Sequence, residues 1–65
     1  MNDERAAKHR RAAEEHENAA NQHDAAAARF LAVGDVERAG RELLDALIER
    51  QLAEDELQLA SLEST

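Results

Sequence analysis

Along this chain an apolar side chain returns every seven residues, and that residue is alanine. Ala6, Ala13, Ala20 and Ala27 mark the first half; Ala39, Ala46, Ala53 and Ala60 mark the second. Seven-residue spacing keeps a side chain on one face of an α-helix, so each series predicts a long amphipathic helix. The two series mirror each other about Val33, with Ala6 matching Ala60, Ala13 matching Ala53, Ala20 matching Ala46 and Ala27 matching Ala39. Between them stands the breaker Val33-Gly34-Asp35, in which Gly34 can end a helix in the left-handed conformation and Asp35 can cap the next. The pattern predicts a single all-α domain over 1–65: helix 3–32 with Asn2 or Asp3 as N-cap, turn 33–35, and helix 36–62. At ~1.5 Å per residue each rod is on the order of 40 Å long, so two of them match in an antiparallel hairpin.

The expected seam on the first helix is Ala6, His9, Ala13, His16, Ala20, His23, Ala27 and Phe30. On the second it is Val36, Ala39, Leu43, Ala46, Arg50, Ala53, Leu57 and Ala60. Alanine in one of the two core positions lets the helix axes approach closely. This register sets Phe30 near Val36, His23 near Leu43, His16 near Arg50 and His9 near Leu57. Outside the seam the second helix still carries Leu44, Leu47, Ile48, Leu52, Leu59 and Leu62, with Leu31 near the end of the first. One neighbour cannot cover all of these, and an exposed apolar patch of this kind marks an interaction surface. The economical arrangement is a twofold homodimer, two hairpins forming a four-helix bundle, with Leu31, Leu44, Leu47, Ile48, Leu52 and Leu59 at the interface.

Charge sharpens the picture. The net charge of −7 is uneven: residues 1–33 hold six acids and five bases, whereas residues 34–65 hold nine acids and three bases. Arg5, Lys8, Arg10 and Arg11 open the first helix, and Glu54, Asp55, Glu56 and Glu63 close the second. Both groups oppose their own helix dipole, yet an antiparallel hairpin lays them side by side, so Arg10–Glu54 and Arg5–Glu63 pairs are expected. An acidic chain without an aromatic platform argues against nucleic-acid binding. High charge and a single aromatic also fit a disordered chain, but the heptad order of the apolar positions opposes that reading.

With no proline, and with Ala, Glu, Leu and Arg dominant, the composition favours helix. A chain this short buries a modest fraction of its surface and usually needs staples or a partner, and it has no cysteine to supply a disulfide. The longest apolar runs, 25–28 and 30–33, are far too short to span a membrane. Met-Asn-Asp-Glu-Arg has no signal-peptide core, so a soluble, cytoplasmic protein is expected.

Chemistry has few footholds. His9, His16 and His23 recur every seven residues and are the candidate metal ligands. Within one helix that spacing separates them by about 10.5 Å, so a shared ion would have to bridge histidines across a dimer axis. The Glu-x-x-His pattern of di-iron bundles would need glutamate where Ala6, Ala13 and Ala20 stand. As neutral seam residues the histidines would charge near pH ~6.5 and loosen the packing, which predicts a lower melting temperature at about pH 5 than at about pH 7.5. Glu42, Glu49, Glu56 and Glu63 form another seven-residue series, read as a solvated flank or as a rail for a basic partner. There is no serine before Ser61, no tyrosine and no glycine-rich phosphate loop, so neither an enzyme nor a cofactor is expected.

From Ala27 to Leu47 the chain reads A-A-R-F-L-A-V-G-D-V-E-R-A-G-R-E-L-L-D-A-L, which resembles the turn of a tetratricopeptide hairpin. The matching positions are Ala27, Phe30, Gly34-Asp35, Ala39, Leu43 and Ala46, with Val36 where an aromatic is usual. About a third of the chain is covered. No second repeat follows, the proline usual after the second helix is missing near Gln51, and both helices outrun the repeat. The resemblance implies a helical hairpin and does not carry the peptide-binding role of repeat arrays. The layout is also similar to small RNA-binding plasmid-copy-number proteins built as dimeric hairpins, in architecture alone. The reading that follows is a non-enzymatic, self-associating helical module with an acidic surface, whose partner is its own copy or another protein. A metal-binding bundle using the seam histidines, or an acidic inhibitor or antitoxin-like protein for a basic partner, are the alternatives.

Overall fold

The computed structural model describes residues 2–64, and these form two helices packed as an antiparallel hairpin: α1, Asp3–Ala32, and α2, Val36–Glu63. The all-helical hairpin expected from the alanine series is the fold of the chain. Asn2 caps α1, its Oδ1 accepting from the Arg5 backbone N–H at 3.2 Å. Asp35 caps α2 in the same way, with Oδ1 accepting from the Arg38 N–H at 3.1 Å. Each cap satisfies a donor that the first turn of a helix leaves unpaired.

The reversal is a Schellman motif. The Gly34 N–H donates to the Leu31 carbonyl at 3.0 Å, and the Asp35 N–H donates to the Phe30 carbonyl at 2.9 Å. Gly34 sits at φ +79° with open space where a Cβ would project. Its requirement is therefore one of backbone conformation, and Gly34→Ala is expected to destabilise by about 1–2 kcal/mol. Gly40 lies inside α2, also with open space around it, so Gly40→Ala should stabilise by about 1 kcal/mol. Urea melts of the two variants check both signs; equal shifts in one direction would remove the conformational account.

Eight alanines are the whole buried core among the described residues: Ala6, Ala13, Ala20 and Ala27 on α1, Ala39, Ala46, Ala53 and Ala60 on α2. All are at most 3% exposed. The hairpin closes at its open end too, where the Asn2 N–H donates to the Glu63 carbonyl at 3.1 Å.

The second seam position differs from the expectation. Leu43 and Leu57 are 46% and 51% exposed, and Val36 is more exposed still. Glu42, Glu49 and Glu56 stand in their place, opposite His23, His16 and His9. Relative to the expected register α2 is turned by about 50° about its axis. Unmet hydrogen bonding accounts for the turn. The leucine register would set three half-buried imidazoles against Leu43, Arg50 and Leu57, leaving ring N–H groups without acceptors at about 1–3 kcal/mol each and drawing a guanidinium into the seam. The glutamate register gives every ring an acceptor. It also moves Leu43 and Leu57 to the outside.

Candidate functional site

Two features stand out on this scaffold: a ladder of polar rungs within the seam, and an apolar surface on α2. The rungs alternate with alanine layers. His9 Nδ1 donates to Glu56 Oε2 at 2.5 Å, His16 Nδ1 to Glu49 Oε2 at 2.6 Å, and His23 Nδ1 to Glu42 Oε2 at 2.8 Å. All six side chains are partly buried. A carboxylate acceptor at Nδ1 selects the tautomer with its proton on that nitrogen. Three of the four glutamates read as a flank or a rail are thus seam residues. The candidate metal ligands His9, His16 and His23 are not brought together; each faces its own carboxylate.

Beside the ladder, Arg50 turns outward to the flank of α1. Its guanidinium donates to Asp24 Oδ2 at 2.5 Å and, more weakly, to Asn21 Oδ1 at 3.4 Å. The hydrogen-bond partner of His16 is Glu49, the residue before Arg50. At the turn the Arg38 guanidinium lies over the Phe30 ring, 5.8 Å from its centroid. Among the described residues neither Arg10–Glu54 nor Arg5–Glu63 forms an ion pair. Exposed pairs of that type lose to solvation and side-chain entropy what they gain in attraction.

At His23 the electrostatics point against the expected pH response. The hydrogen bond to Glu42 raises the His23 pKa above its ordinary value; the charges of Glu42, Asp45 and Glu49 add to this against a partial burial that opposes it. A raised folded-state value means that the contribution is fully present below the unfolded pKa and is lost as pH rises through the folded one. The hydrogen bond from Arg50 lowers the Asp24 pKa, so that contribution is present above the ordinary carboxylate value and is lost as pH falls through the folded one. The melting temperature should therefore rise as pH falls from about 8 to about 6 and decline only when carboxylates protonate. His23→Gln should flatten the alkaline limb. A monotonic fall in melting temperature from about pH 8 to pH 6 would restore the neutral-histidine reading.

The apolar surface is concentrated on one helix. Leu43, Leu44, Leu47, Ile48, Leu52, Leu57, Leu59 and Leu62 of α2 are all exposed. Leu31 joins them from α1. Every residue expected at the interface is thus on the surface, and Leu43 and Leu57 are additions that a hydropathy-based register hides in the seam. Among the described residues no helix is long and apolar enough to cross a membrane. A shallow depression lined by Gln58, Ser61 and Leu62 holds no ionisable side chain. Comparison of the chain with family models, with curated proteins and with solved structures finds no match in any of the three.

Proposed function

We propose that this protein is a non-enzymatic assembly module that pairs with a second copy of itself through α2, making a four-helix bundle with an acidic surface. One observation carries the reading: among the described residues nothing larger than alanine is buried, while the leucines are exposed. Burying a methyl group contributes about 0.8 kcal/mol and a leucine about 1.5–3, so the larger share of the available stabilisation is unused in a lone hairpin. Size points the same way. The chain exposes 4706 Å², where a compact 7.2 kDa monomer would expose about 4,100 Å². Its radius of gyration is 14.9 Å, against about 11 Å for a globular domain of this length.

Spacing supports a helical occupant. Leu44, Leu47, Ile48 and Leu52 stand at i, i+3, i+4 and i+8, the spacing of one helix face. A helix at the corner of a four-helix bundle needs such a face beside the one it turns to its own hairpin. A parallel pairing would set Asp45 and Asp55 against their own copies. An antiparallel pairing centred on Ile48 sets Leu44 opposite Leu52 and Arg41 opposite Asp55 of the other chain. Light scattering tests the reading, with a solution mass of twice 7.2 kDa expected. A stably folded monomer would overturn it.

A further inference from the structure

The three rungs of the ladder are alike in the seam and unlike beside it. Three residues after each glutamate, on the same side of α2, stand Asp45 after Glu42, Leu52 after Glu49 and Leu59 after Glu56. Positions i and i+3 are neighbours on a helix surface, so Asp45 adds a second carboxylate beside the His23 rung alone. Ligand atoms of His23, Glu42 and Asp45 all lie within 4.8 Å of one another, and among the described residues no other group of three does so. We propose that His23, Glu42 and Asp45 form a divalent-cation site within each hairpin, suited to Zn2+.

One imidazole nitrogen and two carboxylate oxygens match the ligand preferences of Zn2+, and three protein ligands leave the fourth tetrahedral position to water. Zinc bonds of about 2.0–2.2 Å require ligand atoms about 3.4 Å apart in a tetrahedron. Asp45 is exposed, and a hydrogen bond already holds the His23 ring against Glu42; the cation would take the place of the proton in that bond, which leaves to solvent. The cation also answers the repulsion between two carboxylates placed side by side. The other two rungs are internal controls: the same imidazole and glutamate, with leucine where the third ligand would be. The site is complete in one chain, so it does not depend on the proposed association, and it differs from an ion bridging histidines of two chains.

Calorimetric titration with ZnCl2 near pH 7.5 should find one ion per chain and a raised melting temperature. Asp45→Leu installs the residue found at the sister rungs on an exposed position, so the fold is retained, and it should abolish binding, as should His23→Gln. His9→Gln and His16→Gln should bind as the wild type does. The proposal is overturned if the wild type binds no Zn2+, if Asp45→Leu binds undiminished, or if His9→Gln or His16→Gln abolishes binding. One ion per two chains would also overturn it.

Discussion

Ala20→Leu is expected to cost about 1–3 kcal/mol, toward the upper end of the range for overpacked cores. Ala20 is fully buried, and its mirror position Ala46 is 1% exposed. The added three carbons have no void to enter, so the helices must separate at that layer. Separation cannot stay local, because the layers on either side are the His16–Glu49 and His23–Glu42 rungs at 2.6 and 2.8 Å. Stretching them would leave half-buried polar groups without partners, a further cost on top of the steric one. A domain of this length is stabilised by only about 3–10 kcal/mol, so the loss is a large fraction of the total. Ala25→Leu, at an exposed position on the same helix, should change stability by no more than about 0.5 kcal/mol. Urea denaturation of both variants separates the cases. An Ala20→Leu protein as stable as the wild type would mean that the seam is not closely packed.

The parts of this fold that could be read from the residues are those set by local chemistry or by strict repetition. Gly34-Asp35 shows the turn because few dipeptides can both end one helix and cap the next. The alanine series shows the seam because only small residues recur at that spacing. The partner of the histidines was not legible. Glu42 and Leu43 lie on opposite sides of the alanine line, and hydropathy ranks leucine first. What decides is the need of three imidazoles for acceptors, which depends on both helices together and is invisible along either alone. Arg50 belongs to the same lesson: it finds Asp24 only once the register has turned it outward. The triad of His23, Glu42 and Asp45 was hidden for the same reason, although the i, i+3 spacing of its carboxylates was open to view.

That turn of α2 also sharpens what a charge on its outer face should do. Leu47 is 63% exposed in the hairpin and makes no part of the alanine seam. Glutamate has a high helix propensity, so Leu47→Glu should leave a lone hairpin nearly unchanged. In a twofold assembly the substitution enters twice. Each copy forfeits the burial of a leucine, about 1.5–3 kcal/mol, and would bring a carboxylate toward an apolar interface. The sum is about 3–6 kcal/mol per dimer, which weakens association by roughly 10²–10⁴-fold. The expected variant is monomeric by light scattering, and its helical circular dichroism melts at a lower temperature with little dependence on protein concentration. The wild type should show the opposite, because the midpoint of an associating protein rises with concentration. Identical masses and melting curves for both proteins would show that the leucines of α2 cover no second chain, and that alanine layers and histidine–glutamate rungs hold the hairpin together unaided.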